Sequence, residues 1–487
     1  MRRRAVIVVV AALTIVAGAC SSTSTVALRT QQTGALTWKP CGHVQCATLS
    51  VPLDWQHPSG THITLALARL PSRSAHAGVL LTNPGGPGGS GLEFMADASQ
   101  VFDDQVLDNF DVVSWDPRGV GKSAPVECLD NLDNFYAENR DPQTPADINA
   151  LETEDRAFVQ ACEQHSGSEL PFVSSASTAR DMDAIRAAMG VDRVSYYGFS
   201  YGTYLGELYA QMYPTHVQTM VLDGVVDPAT SFATATVQQA AGFDDELNQF
   251  FAWCRADASC AFAQGGDPAA AYDSLQRDIT DEPVPATVQG EARTLGAGEF
   301  DIGVASALYS GASGFEDLSK ALAQAAQGKG DDLLTFADEY TERSPGGKYS
   351  NETAANYAIG CIDSPGPRTV TALATVADQA TKAAPRFGAT TTWLDLPCVT
   401  WPVAPEGETG PIAAPGAPPI LVVGTTHDPA TPYASAVAVA HELQSGHLLT
   451  FDGTGHTAYN RGSDCVDNAV DNYLRTGALP AAGTQCH

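Results

Sequence analysis

A switch in hydrophobic periodicity, made twice, does most to limit the folds open to this chain. Short apolar runs recur at 47–51, 63–70, 78–81, 112–115, 193–197 and 220–222, then stop, then resume at 420–423 and 447–451. The first two alternate apolar and polar residues and sit close together, as a hairpin would. The others are near-continuous, as in strands buried on both faces. Helical patterns lie between them. Thr178 is placed to N-cap a helix with Asp181 at its third position, and Met182, Ile185 and Met189 form its apolar stripe. Further helices fit 200–212, 434–443 and 465–474. Strands that alternate with helices predict an α/β fold, with a mostly parallel eight-stranded sheet covered on both faces.

From 229 to 410 the alternation is absent. That interval is rich in Ala and Gln, reads as helical at 316–327 and 370–382, and ends in a Pro/Gly stretch at 402–419. The expected organisation is therefore one core in two segments, 35–228 and 411–487, interrupted by a helical insertion at 229–410.

The N-terminus sets the compartment. Arg2, Arg3 and Arg4 precede an apolar run, 5–17, too short to span a bilayer comfortably, and small residues follow it. This is the layout of a secretory signal, 1–19, cut before Cys20. Val16-Ala17-Gly18-Ala19-Cys20 also resembles a bacterial lipobox, with Ala17 where Leu is usual, which makes Cys20 a candidate for lipidation. Residues 20–34 read as a tether. No second long apolar run follows, so membrane contact is expected only through a lipid on Cys20. The chain has 11 cysteines, and ten remain when Cys20 is set aside. In an oxidising compartment ten can pair fully. The net charge of −30 argues against a nucleic-acid partner.

Gly198-Phe199-Ser200-Tyr201-Gly202 is a G-x-S-x-G between an expected strand and an expected helix. That setting is a nucleophile elbow. Side chains at 198 and 202 would collide in the tight turn, and the serine is lifted to a helix N-terminus. A serine needs a base. Downstream, the strand at 420–423 runs into Asp428, and the strand at 447–451 runs into Asp452-Gly453-Thr454-Gly455-His456. Asp428 and His456 thus fall beyond the C-terminal ends of neighbouring strands, in the order Ser, Asp, His. Ser200 is the candidate nucleophile, His456 the base and Asp428 the group that orients it. Asp223 and Asp452 are rival acids. His427, His441 and His447 are rival histidines, of which His441 falls in a helix and His447 begins a strand.

Asn83-Pro84-Gly85-Gly86-Pro87-Gly88-Gly89-Ser90-Gly91 follows the strand at 78–81. Such a loop presents a backbone N–H, here that of Gly86, which with the N–H of Tyr201 makes a two-donor oxyanion hole. Gly119-Val120-Gly121-Lys122-Ser123 ends like a P-loop, but Asp116 stands where that motif needs its first glycine. No HExxH or paired CxxC pattern appears, so neither metal nor cofactor is expected.

Residues 83–91, the stretch from Asp116 to Ser123, Gly198 to Gly202, Asp428 and Gly455-His456 together resemble the α/β-hydrolase superfamily. More narrowly they are similar to the secreted tripeptidyl-aminopeptidase-like serine hydrolases of actinobacteria, related to prolyl aminopeptidases. Trp38-Lys39-Pro40-Cys41, Met220 to Val225, Phe250 to Cys254, Cys361-Ile362-Asp363 and Gly477 to Pro480 extend the likeness over nearly all of the mature chain. The resemblance implies an α/β-hydrolase fold with 229–410 as a cap before the catalytic Asp. It implies the pairs Cys41–Cys46, Cys128–Cys162, Cys254–Cys260, Cys361–Cys398 and Cys465–Cys486. It also implies an exported aminopeptidase acting on peptides with a free N-terminus, whose ammonium needs an anionic partner. Asp244, Asp245, Glu246, Asp301 and Glu316 of the cap are acids near helical segments, and none is singled out. A carboxylesterase or lipase with the same triad is the competing reading. An inactive binding lipoprotein would lack a triad member, and none is missing.

Overall fold

The computed structural model describes residues 36–487 apart from 75, 76, 264 and 408. The expected signal peptide and tether, with Cys20, lie outside the described residues. No helix among the described residues is long and apolar enough to cross a membrane.

The sheet has ten strands. In chain order they are β1 (Lys39–Cys41), β2 (Val44–Pro52), β3 (His62–Leu70), β4 (Gly78–Asn83), β5 (Phe110–Trp115), β6 (Val194–Phe199) and β7 (Val217–Asp223). Two hairpins of the insertion come next, β8 (Val284–Val288) with β9 (Glu291–Leu295) and β10 (Arg343–Ser344) with β11 (Lys348–Tyr349). The sheet then resumes with β12 (Ile420–His427), β13 (Gly446–Thr454) and β14 (Gln485–Cys486). The spatial order is β1-β2-β3-β5-β4-β6-β7-β12-β13-β14. β1, β2, β3 and β5 pair antiparallel, and every pairing from β5 to β14 is parallel. All eight expected strands are present. The two additional ones are short edges, and each holds a disulfide cysteine, Cys41 joined to Cys46 and Cys486 to Cys465. The other pairs are Cys128–Cys162, Cys254–Cys260 and Cys361–Cys398.

The period of two in the central strands splits the core between the two faces. Leu81, Tyr196, Leu222 and Val422 pack with Met182 and Ile185 on one side. Their chain neighbours Leu80, Tyr197, Val221 and Leu421 pack with Met95, Val466 and Tyr473 on the other. This is why the central runs read as continuously apolar.

The helices used below are α1 (Ser175–Met189), α2 (Gly202–Met212), α3 (Phe232–Ala256), α4 (Ala297–Leu308), α5 (Glu352–Asp363), α6 (Tyr433–Glu442) and α7 (Asp464–Thr476). One expectation fails locally. Ser174, not Thr178, stands at the N-cap position of α1, without a side-chain capping bond, and Thr178 is buried in its first turns. Asp181, expected to serve that cap, is instead fully buried and grips Arg118 through two 2.7 Å bonds. A buried guanidinium needs a paired carboxylate, and that demand overrides the local cap signal. Among the described residues between β7 and β12, no strand joins the large sheet. That interval is mainly helical, with Phe243, Leu247, Phe250, Phe300, Leu318 and Leu333 in a hydrophobic core of its own. The two small hairpins within it were not expected from the helical pattern.

Candidate active site

Ser200 links β6 to α2 with φ 55°, in the left-handed region. Two glycines make that turn sterically feasible. A Cβ at Gly198 would lie 2.4 Å from the Gly202 carbonyl oxygen, and one at Gly202 would lie 2.6 Å from that of Asn83. The Ser200 N–H donates to the Asp223 carbonyl at 2.8 Å, which ties the elbow to the end of β7.

Asp428 directly follows β12, and His456 lies two residues past β13. The Asp428 side chain is fully buried and that of His456 nearly so. His456 Nδ1 lies 2.9 Å from Asp428 Oδ1 and 3.0 Å from Oδ2. The carboxylate also accepts from the N–H groups of Ala430, Thr431 and Thr457 and from Thr431 Oγ1. With those donors in place, the carboxylate faces His456 Nδ1 as a further acceptor, an arrangement that a proton on Nδ1 satisfies. The buried His456 Nε2 has no hydrogen-bond partner among the described residues. A Cβ at Gly224 would fall 3.1 Å from His456 Cε1, so the imidazole edge rests on the same β7 end that holds Ser200.

The glycine-rich loop reaches the elbow. A Cβ on Gly85 would lie 2.9 Å from Ser200 Cβ and 3.0 Å from the Tyr201 nitrogen, and Gly85 and Gly86 have φ 98° and 108°. Only glycine fits so close to the nucleophile in that conformation. Gly86 therefore follows a residue in contact with both Ser200 and Tyr201.

The rivals are engaged elsewhere. Asp223 is fully buried, and its carboxylate accepts from the Ala458 and Tyr459 N–H groups and the Tyr197 hydroxyl. It thereby anchors the loop after His456. Asp452 lies beside His487, and His427 is paired with Asp245 at 2.6 Å. His441 is in α6 and His447 in β13.

The insertion supplies neighbours that the sequence did not reveal. The Tyr309 ring stands edge-on to His456. Along one face of α3, Gln239 donates to the Ala430 carbonyl and Gly242 packs on the carbonyls of Asp428 and Pro429. Glu246, on the same face, is buried, and neither carboxyl oxygen makes a hydrogen bond among the described residues. Burial, then Asp245 and Asp428, push it up to about 9. Most of the other cap acids considered above are also committed. Asp244 accepts from the N–H groups of Arg386 and Phe387, Asp301 from Gln276 and Thr390, and Glu316 pairs with Lys320. A group that sequence reasoning missed adjoins the glycine loop. Asn356 of α5 donates to the Pro87 carbonyl, and at the start of that helix burial, then Glu342 and Glu93, push Glu352 up to about 9. The described residues contain no cluster of His, Cys, Asp and Glu fit to hold a metal.

Comparison with known proteins agrees with this fold. The family described as alpha/beta hydrolase fold matches residues 78–265, and the family of TAP-like proteins matches residues 384–486. Serine protease Hip1 of Mycobacterium tuberculosis is 38% identical over 477 residues, 92% of this chain and 90% of that protein. Carboxylesterase B of Mycobacterium tuberculosis is 39% identical over 456 residues, 91% of this chain and 86% of that protein. Tripeptidyl aminopeptidase of Streptomyces lividans is 32% identical over 469 residues, 93% and 85% of the two chains. The chain belongs to the α/β-hydrolase superfamily and is a serine peptidase of the group that holds Hip1 and the tripeptidyl aminopeptidases.

Proposed function

We propose that this protein is an exported aminopeptidase that releases short peptides from free N-termini through Ser200, His456 and Asp428. The observation that carries this reading is the Asp428–His456 pair, with Nε2 unspent beside the strand end that holds the serine elbow. In the reaction, His456 Nε2 takes the Ser200 proton as Oγ attacks the scissile carbonyl. The N–H groups of Gly86 and Tyr201 receive the oxyanion. Collapse of the tetrahedral intermediate breaks the C–N bond, and His456 gives its proton to the departing amine. Water, activated by the same imidazole, then hydrolyses the acyl-enzyme.

Preference for a free N-terminus is supported by the acid-rich wall of Glu93, Glu342 and Glu352 next to the glycine loop, which suits a substrate ammonium. The likeness to Carboxylesterase B keeps an esterase as the second reading, since ester and amide pass through the same oxyanion. A panel of free and N-acetylated peptide amides, with matched esters, tests the proposal. Preferred turnover of free peptides supports it, and equal turnover of blocked ones overturns it. Loss of hydrolysis in Ser200→Ala tests the nucleophile.

Export is supported by the disulfides, which use ten of the 11 cysteines. The remaining one, Cys20, is the proposed lipid attachment point at the cell envelope. Mass spectrometry of the mature N-terminus checks this, and an unmodified Cys20 there would exclude the anchor.

A further inference from the structure

Tyr201 has two ends with different tasks. Its backbone N–H is one of the two proposed oxyanion donors. Its phenol donates to Asp363 Oδ2 at 2.6 Å, and the Ser175 hydroxyl lies 3.2 Å from the phenol oxygen. Asp363 is the last residue of α5 and is 8% exposed. Its carboxylate also receives the Ser175 N–H, at 3.2 Å and 3.0 Å, which is the first N–H of α1. Burial pushes the Asp363 carboxyl up to about 6, while the Tyr201 and Ser175 donors pull it down, so the acceptor of these bonds is mainly the carboxylate at neutral pH.

Asp363 is itself immobilised from several sides. Cys361, two residues earlier, is bonded to Cys398. The N–H groups of Glu406 and Gly407 both donate to the Ile362 carbonyl. A Cβ on Gly407 would fall 1.7 Å from the Asp363 carbonyl oxygen, so the chain there runs flush against the end of α5. The carboxylate is thus a fixed point, to which Tyr201 is tethered by a short charge-assisted bond. The Ser200–Tyr201 peptide is held at its carbonyl by the N–H (2.8 Å) and the hydroxyl (2.7 Å) of Thr203, and the phenol tether holds Tyr201 from its other end, so the two anchors together set the direction of its N–H.

We propose that Asp363 is a positioning residue for the reaction. Through the Tyr201 phenol it holds the Tyr201 N–H on the oxyanion of the tetrahedral intermediate. The cap would then tune the transition state as well as cover the site. This inference rests on the proposed roles of Ser200 and Tyr201. Its physical basis is the steep angular dependence of a hydrogen bond, which makes a small tilt of the peptide costly only when charge develops on the carbonyl oxygen.

Three variants, Tyr201→Phe, Asp363→Asn and Ser200→Ala, test it on free peptide anilides and matched esters. Tyr201→Phe and Asp363→Asn are expected to lower kcat on the order of tenfold, less than the roughly 100-fold or greater loss from deleting an oxyanion donor. KM should stay within about twofold. Affinity for a peptide boronate, which mimics the tetrahedral intermediate, should fall by the same factor as kcat, while affinity for the product peptide holds. Wild-type kcat in Tyr201→Phe, with Ser200→Ala inactive, overturns this proposal and leaves the nucleophile intact. A raised KM at unchanged kcat also overturns it, because the phenol would then serve ground-state binding. Activity in Ser200→Ala would instead overturn the underlying reading. If Asp363→Asn does not fold, as thermal unfolding would show, Tyr201→Phe, which removes a single oxygen, decides the matter.

Discussion

Tyr309, the residue after α4, packs edge-on against His456 with ring centroids 5.1 Å apart, and its backbone carbonyl accepts the His456 N–H at 2.9 Å. The next turn continues the contact. Gly311 lies against Thr454 and Gly455, and the Ala312 N–H donates to Thr454 Oγ1. A loop of the insertion therefore braces the histidine loop. Aromatic edge contacts of this kind contribute about 0.5–1.5 kcal/mol beyond their buried area. Tyr309→Ala is expected to lower kcat roughly tenfold by loosening the imidazole, in line with about 1.4 kcal/mol per tenfold of rate. Tyr309→Phe keeps the ring and loses only a 3.4 Å contact with the Tyr340 hydroxyl, so its kcat should stay near wild type. Steady-state kinetics on both variants check this, and equal losses in the two would remove the ring from the explanation.

Asp428→Asn gives a sharper test of the tautomer. The Asn amide would donate to Nδ1, where the carboxylate accepts from it. The imidazole proton would move to Nε2, which could then no longer take the serine proton. The expected loss in kcat is on the order of 10³–10⁴-fold, with the fold and melting temperature nearly unchanged. A loss below about tenfold would return the acid role to another carboxylate.

The legible and hidden parts of this molecule divide along physical lines. Strands β4, β5, β6, β7, β12 and β13 are buried on both faces, and that burial writes itself as unbroken apolar runs. β1 and β14 have three and two residues, too few for any period to show. Asp428 and His456 were singled out because a strand end points to a site whatever its surroundings, and the structure places the two within hydrogen-bond distance of each other. Tyr309, Glu246 and Asp363 reach the site's neighbourhood through residues far away in the chain. A helical period can place such residues on a face, but it does not say which loop that face meets. Only the phrase Cys361-Ile362-Asp363 gave a local hint, and it carried no indication that Tyr201 was the partner.

Glu246 predicts an unusual pH dependence of stability. Its folded value of about 9 is far above the ordinary 4.5. Between those values the folded state holds a proton that the unfolded state has released. Stability therefore falls as pH rises, by at most about 1.4 kcal/mol per pH unit from this group. Glu246→Gln is neutral throughout and removes the effect. Its melting temperature should exceed that of the wild type by a margin that grows from pH 5 to pH 8. Parallel profiles over that range would place the Glu246 carboxyl in a solvated setting.

Glu352 carries the last prediction, which concerns the substrate. Burial and the nearby carboxyls of Glu342 and Glu93 push Glu352 up and favour a proton held within the wall, which is least comfortable when it is fully charged and empty of cations. An arriving ammonium would relieve that repulsion and expel the proton. Glu352→Gln removes the charge that the ammonium would meet and leaves the shape unchanged. For peptides with a free N-terminus, KM should rise on the order of tenfold, as expected for loss of a partly buried ion pair. For N-acetylated peptides and simple esters it should not move, because they bring no cation to the wall. In the wild type, binding of a free peptide near pH 7 should release protons, measurable as a buffer-dependent heat in calorimetry. An equal KM change for free and acetylated substrates would show that Glu352 shapes the site without reading the N-terminus.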